Sequence, residues 1–389
     1  MTSDEQQPLK DVAEQLRARA NEFNHAAHEL FFPRAPQART LFPRTSRRHE
    51  GLVATLADVL DRSTTTIPPH VREYLAGHGR RHRRHGFPPE AYSDFAHALV
   101  EALHRNVLDA NLAPGRLAQG ADILRQACQV MADAAAEADY AGVPPAWAAT
   151  VVDTEKRSRR LSVIRLESGM PFSYLPGQHL PVSTDYLAGT WKMLSPAVPA
   201  TESGQVEFHI LSPGKGRPGA LLAHARKGDL WTLGAAEGHL CLGPSLAPGN
   251  RRDLLLLAAG TGLAPLRAMV LGLLEEDNPP SVDIVHVAQY PGELYDVVFF
   301  ENLATALPWF RFHLATQEEA DPWWLHSAIT PPASVPLMHA ANLGEYALSL
   351  GEWSGREVYL AGPAREIYPA ASSLYRSTQN FADITYEAW

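Results

Sequence analysis

Cysteine is nearly absent from this chain. Cys128 and Cys241 are the whole complement in 389 residues, which excludes a disulfide scaffold and any zinc or iron–sulfur site built from several thiolates. Lysine is scarce as well. Lys10, Lys156, Lys192, Lys215 and Lys227 are all there is, so 29 of the 34 basic residues are arginine; a genomic base-composition bias explains that skew without function. No apolar run approaches the ~20 residues of a membrane-spanning helix. The longest, LLLLAA at residues 254–259, is the size of a strand. The opening MTSDEQQPLK lacks the basic-then-apolar pattern of a secretory signal. Positive charge is in deficit too: the net charge is -9 and the pI about 6.0, the reverse of a nucleic-acid-binding surface. What is present is core-forming material, 45% hydrophobic against 20% charged residues, the balance of a folded chain. At roughly 100–200 residues per domain, the length predicts two or three domains. The expectation is a cytoplasmic protein with no membrane and no nucleic-acid partner.

The texture changes twice along the chain. Up to about residue 145, apolar residues recur every three or four positions in 12–30, 52–60, 92–108 and 123–138, the helical period. Pro33 and Pro36, Pro68 and Pro69, 86–89, and Pro114 with Gly115 separate these runs. From about residue 149, short β-branched or alternating segments at 150–153, 161–166, 179–182, 206–211 and 229–233 predict a small antiparallel barrel. From about residue 251, near-continuous apolar strands alternate with helices, the pattern of a parallel α/β sheet. The predicted domains are 1–145, 146–250 and 251–389: all-α, then β-barrel, then α/β.

The sharpest motif is LLLLAAGTGLAP at residues 254–265. A buried strand runs into Gly260-Thr261-Gly262 and a helix follows, so the backbone turns tightly and approaches a pyrophosphate at the helix N-terminus. VYLAGP at 358–363 is a second buried strand ending in Gly362-Pro363. Two such ends together make a ligand crevice at one sheet edge. In the N-terminal part, nine of the 17 histidines precede residue 105. His78, His82 and His85, in GHGRRHRRHG, have the spacing to share a helix face, yet no carboxylate or thiolate lies close in sequence to complete a zinc site.

GTGLAP followed by AGP behind a small barrel resembles the ferredoxin–NADP reductase-like flavin and nicotinamide domains. LPGQH at 175–179 is similar to the PGQ of their FAD domain, which points to Gln178. WKMLSPA at 191–197 occupies the place of the flavin-binding Arg-x-Tyr-Ser motif, with Lys192 for the Arg, Leu194 for the Tyr, and Ser195 kept. Gly219 falls where that family has a phosphate-binding Ser, and Ala361 where it has a Cys beside the nicotinamide. The chain end, YEAW, resembles the terminal YE-x-aromatic, so the resemblance implies Glu387 at the site and Trp389 over the flavin ring. Gly260, Thr261, Gly262, Ala264, Pro265, Gly362 and Pro363 are the implied nicotinamide-nucleotide contacts. Arg267 and Gln289 lie near positions that read the ribose, and NADH or NADPH are both left open.

HRRHGFPPEAY at 82–92 resembles the haem-ligating stretch of bacterial globins and flavohaemoglobins. The resemblance implies haem b with His82 as iron ligand and Tyr92 behind it, assisted by an acid, Glu137 or Asp139. It also implies Phe42 packed on the haem, Leu52 over it and Arg48 at the distal glutamine position. His28 stands where the family has a distal Tyr; it either hydrogen-bonds bound dioxygen or ligates the iron. The whole chain is then identified as resembling a divergent flavohaemoglobin: an all-α globin fold, an antiparallel β-barrel FAD domain and a parallel-sheet nucleotide domain. The implied activity is nitric oxide dioxygenation, with O2 and NO as gaseous ligands and NAD(P)H as donor. Two alternatives stay open: a haem–flavin reductase with another donor or acceptor, and a haem-based gas or redox sensor with an impaired reductase half.

Overall fold

A computed structural model describes residues 7–36, 50–107, 111–187, 190–212, 218–242, 251–325 and 338–389. Phe42 and Arg48 therefore lie outside the described residues. The chain forms two compact units, Met1–Ala146 and Trp147–Trp389. Among the described residues, no helix is long and apolar enough to cross a membrane.

The first unit is helical among its described residues: α1 (Lys10–Ala18), α2 (Ala20–Phe31), α3 (Glu50–Arg62), α4 (Pro69–His82), α5 (Ala91–Asn106) and α6 (Arg116–Tyr140). The periodicity predicts one helix over 12–30. The structure instead breaks at Arg19, whose φ of -123° is not helical. No Gly or Pro causes the break. The two apolar stripes have different partners: Val12, Ala13 and Leu16 turn α1 onto α3, and Phe23, Ala27 and Phe31 turn α2 onto α5. The sequence pattern also under-reads α4. Its buried stripe is only Val71, Leu75 and Gly79, with Pro at the first helical position, where a missing N–H costs nothing. A Cβ on Gly79 would sit 2.1 Å from the Met131 carbonyl oxygen. Glycine thus lets α4 press against α6, and His82 follows one turn later.

The second unit holds two sheets. β1 (Ala146–Lys156), β2 (Leu161–Glu167), β3 (Leu180–Thr184), β4 (Lys192–Leu194), β5 (Gln205–Leu211) and β6 (Leu230–Gly234), with the short α7 (Pro218–Leu222), form an antiparallel sheet ordered β4-β3-β6-β1-β2-β5. A bridge from Pro196 to Phe208 of β5 joins the two edges, so the sheet nearly closes on itself. Trp231, Phe208, Leu180, Val182 and Ile164 fill it.

The other sheet contains β7 (Leu254–Ala259), β8 (Val282–Ala288), β9 (Phe310–Thr316), β10 (Met338–His339), β11 (Glu357–Gly362) and β12 (Asp383–Ala388), all parallel and ordered β10-β9-β8-β7-β11-β12. Its helices are α8 (Leu263–Leu273), α9 (Val297–Ala306), α10 (Leu343–Leu350) and α11 (Ala364–Arg376). Leu254, Leu256 and Ala258 pack toward α8 and α9, while Leu255, Leu257 and Ala259 pack toward α10 and α11. Both faces of β7 are covered, which is why it reads as a continuous apolar run. The chain steps from β7 to β10 in one direction and then returns to β11 on the other side. The switch point, where such sheets bind ligands, is the gap between β7 and β11.

A buried ion cluster holds the opposite part of this sheet. Asp283 of β8, 1% exposed, accepts hydrogen bonds from Arg311, Arg356 and His313 at 2.6–3.0 Å. Burial opposes its ionisation, but the bonds from His313 and Arg311 and the charges of Arg356 and Arg311 prevail and hold the carboxyl down to about 2. The folded pKa lies below the unfolded value of ~3.9. The stabilisation is therefore complete above about pH 4 and disappears as pH falls through about 2. Asp283→Asn, which takes the carboxylate from the mostly buried Arg356 guanidinium, is expected to cost about 3 kcal/mol near neutral pH. The gap from wild type should close in acid. Urea denaturation at a series of pH values checks both the size and the direction.

Candidate functional site

The helical unit brings His82 and Tyr92 together. His82 ends α4, and the turn through Arg83–His85 closes at Gly86 in the left-handed conformation (φ 75°). Pro88 and Pro89 then lead into α5, which carries Tyr92. His82 Nδ1 lies 2.9 Å from the Tyr92 hydroxyl, and the two rings stack. Phe87 meets both rings edge-on. Burial, then the charges of His78, His85, Arg81 and Arg84, hold the His82 pKa down to about 3, so the imidazole is neutral at physiological pH. With Nδ1–H donating to the hydroxyl oxygen, the lone pair falls on Nε2, which makes no hydrogen bond among the described residues. That is the donor chemistry of an axial ligand to haem iron with its other nitrogen fixed from behind. No group of three or more His, Cys, Asp or Glu side chains is placed to hold a metal ion among the described residues.

Neither of the two acids expected behind Tyr92 contacts it. Glu137 is exposed near the end of α6 and its side chain hydrogen-bonds neither His82 nor Tyr92. Asp139 is committed to Arg83, whose Nε donates to it at 2.7 Å. Burial pushes the Tyr92 hydroxyl well above its ordinary value, and on α6 it pushes the buried Cys128 thiol up to about 12.

His28 is half-buried on α2. Its Nδ1 lies 2.7 Å from the Asn24 carbonyl oxygen, which can only accept, so Nδ1 carries the proton. His28 stacks on Phe32 and borders an open cleft of about 600 Å³ with His25, Glu29 and Arg105. Leu52, in the first turn of α3, is half-buried against the helical core.

In the second unit the implied nucleotide residues converge on the switch point. Gly260–Gly262 forms a tight turn at the end of β7, and α8 starts immediately after it. A Cβ on Gly262 would lie 1.8 Å from the Ala361 carbonyl oxygen. Glycine is therefore required for the turn to press on the end of β11, where Gly362 and Pro363 sit. Ala264 and Pro265 are buried within α8; they seat the turn and do not line the crevice. Ala361, at the expected thiol position, is fully buried. Trp389 is half exposed and held by its N–H donating to the Gly362 carbonyl and its carbonyl accepting from Ala364 N–H. Glu387, on β12, accepts from His179 Nδ1 at 3.0 Å, a partner the sequence did not suggest.

On the barrel, Lys192 and Ser195 have no side-chain partner among the described residues. They lie on and just beyond β4, a three-residue edge strand. An available cation and hydroxyl suit a flavin diphosphate, so the residues present fit FAD. Gln178 Oε1 accepts from Leu175 N–H and its Nε2 donates to the Gly238 carbonyl, which shapes the loop before β3. Gly219 lies in α7. Arg267 is engaged within the protein. It donates to the Ala197 carbonyl at 2.7 Å and pairs with Asp296 at 2.9 Å and Glu207 at 3.3 Å. It thereby ties the segment after Ser195 to α8, next to the nucleotide turn. Burial opposes ionisation of Glu207, but the bond from His209, the nearby charges of His209 and Arg267 and the bond from Arg165 hold it down to about 2.

No protein-family model matches the chain. Over 251 residues it is 29% identical to the reductase component of phenol 2-monooxygenase from Pseudomonas sp., a match covering 64% of this chain and 65% of that protein. The chain thus spans just under two thirds of the length of that relative. Among solved structures, it resembles a flavohemoglobin from Malassezia yamatoensis with bound FAD and heme, with a TM-score of 0.69 and 16% identity over 97% of this chain and 98% of the other. It also resembles an Amycolatopsis cytochrome P450 reductase, with a TM-score of 0.52 and 21% identity over 62% of this chain and 69% of the other. At these identities the structural likeness is one of fold: a near-closed antiparallel sheet followed by a parallel α/β sheet, as in ferredoxin reductases.

Proposed function

We propose that this chain is a flavohaem oxidoreductase that carries electrons from NADH or NADPH through FAD to a globin haem, acting as a nitric oxide dioxygenase. The observation that carries this reading is the His82–Tyr92 pair, an imidazole fixed at Nδ1 with Nε2 left for iron, on the same chain as a reductase-type pair of sheets. The resemblance to a solved flavohemoglobin across nearly the full chain supports it. When bound, FAD accepts a hydride and releases single electrons, and haem supplies the chemistry that converts NO and O2 to nitrate.

The residues around these groups divide the work. His82 would hold the iron, and Tyr92 fixes its ring. Leu52 would lie over the haem. His28 would either hydrogen-bond bound dioxygen or ligate the iron. Lys192 would neutralise flavin diphosphate charge as a point cation, and Ser195 would supply a hydroxyl to the flavin. Gly260, Thr261 and Gly262 would hold the nicotinamide-nucleotide pyrophosphate, and Trp389 would pack on the flavin. Arg267 ties the segment after Ser195 to α8.

A second reading has its own support. Several sequence relatives are reductase components of monooxygenases or dioxygenases, which favours a reductase that serves another acceptor. NADH- or NADPH-dependent NO consumption in air by haem- and FAD-loaded protein is the test. Consumption that needs O2 and yields nitrate supports dioxygenation. Rapid ferricyanide reduction without NO consumption would leave the reductase reading standing and remove the dioxygenase.

A further inference from the structure

β8 carries a histidine between two apolar residues, Val285 and Val287, and His286 is fully buried. It pairs in register with Ala258 of β7, two residues before the Gly260–Gly262 turn. His286 Nε2 lies 3.1 Å from the Gly260 carbonyl oxygen. A carbonyl only accepts, so Nε2 carries the proton and donates it. The neutral ring then bears a lone pair on Nδ1, which is buried with no hydrogen-bond partner among the described residues. Tyr295 packs edge-on against the ring at 5.6 Å, and its hydroxyl is also buried without a partner. An apolar side chain would fill this space without stranding Nδ1. Packing alone therefore does not account for a histidine here; the bond to the turn does. Burial holds the imidazole pKa down to about 4, so the neutral donor persists at physiological pH.

In a trans peptide, the carbonyl and the following N–H point in opposite directions. No cis peptide bond occurs among the described residues. Drawing the Gly260 carbonyl inward therefore turns the Thr261 N–H outward, away from His286. The same carbonyl also accepts from Leu263 N–H at the start of α8. Gly260 itself is in the left-handed region, with φ 54°.

We propose that His286 is a positioning residue for the dinucleotide pyrophosphate: by holding the Gly260 carbonyl inward, it aims the Thr261 N–H at a pyrophosphate oxygen. This rests on the nicotinamide-nucleotide reading above. The probes are NADH and ADP-ribose, which keeps the pyrophosphate and lacks nicotinamide. In His286→Phe, the KM for NADH and the Kd for ADP-ribose rise together by about ten-fold, the scale of one misplaced hydrogen bond to a charged group. The kcat and the FAD content hold. His286→Gln, which keeps an N–H, recovers most of the lost affinity. Wild-type affinity for ADP-ribose in His286→Phe overturns the proposal, as does a glutamine variant no better than phenylalanine. Loss of FAD together with nucleotide binding in both His286→Phe and His286→Leu overturns it too, because the ring then holds the fold and not the turn. Wild-type protein that binds neither NADH nor ADP-ribose defeats the nucleotide reading itself, and the proposal with it.

Discussion

A His82→Ala chain is expected to purify without haem while still reducing an artificial electron acceptor with NADH or NADPH at close to the wild-type rate. The expectation follows from the two-unit architecture. His82 is the imidazole whose geometry suits an axial ligand, and the flavin and nucleotide residues all lie in the other unit. Partners that hold a metal-ligating histidine from behind typically account for 10–100-fold in affinity. Removing the ligand itself should therefore exceed about 100-fold, whereas Tyr92→Phe, which leaves the ligand and removes its hydrogen bond, should fall near ~10-fold. The haem-to-protein absorbance ratio after equal haem loading ranks the three proteins. Equal haem in wild type and His82→Ala would place the ligand elsewhere, with His28 the next to test.

Gly262→Ala is expected to have the largest effect in the reductase unit. The added methyl would lie 1.8 Å from the Ala361 carbonyl oxygen and 2.3 Å from its carbon. Both are backbone atoms, so no side-chain rotation relieves the contact, and the turn or the end of β11 must shift. Overpacking of this kind costs about 1–3 kcal/mol. A displacement of ~1 Å at the nucleotide turn is enough to lower kcat/KM by roughly 100-fold. Gly51→Ala is the control. It adds a methyl at an exposed position of α3 with nothing within 4 Å, and should be neutral or stabilising by up to about 1 kcal/mol. Thermal melts and steady-state kinetics of the two variants, run side by side, separate damage at the turn from a general cost of losing glycine.

The legible parts of the sequence were those where one local pattern carries the whole signal. LLLLAA announces a strand covered on both faces, and GTG after it announces a turn that must bring backbone close to backbone. The ten-residue spacing from His82 to Tyr92 crosses one turn between α4 and α5, so the resemblance transfers in register. The pattern failed where a contact depends on long-range geometry. Along α6, a 25-residue helix, choosing the residue behind Tyr92 needs the packing angle against α5. The resemblance implies an acid there, Glu137 or Asp139; the structure pairs Asp139 with Arg83 and leaves Glu137 exposed. Arg267 looked like a ribose contact because it follows the turn. Its actual partners, Glu207 and Asp296, are 60 and 29 positions away in sequence. Asp296 itself adopts a left-handed φ of 56°, a conformation nothing in ELYDVV foretells. The break at Arg19 is similar, since it separates two stripes whose partners become known only on folding. His286 did leave a trace: a histidine inside an otherwise apolar stretch of strand is the kind of polar interruption that signals a dedicated hydrogen bond.

The central claim is that electrons cross from the nicotinamide nucleotide through flavin to haem within one chain. Anaerobic mixing of the FAD- and haem-loaded protein with NADH, and separately with NADPH, while the absorption spectrum is recorded, tests it most directly. The account predicts that the flavin band bleaches first and the haem spectrum then turns from ferric to ferrous, at a rate independent of protein concentration. Full flavin reduction with the haem left ferric would contradict it.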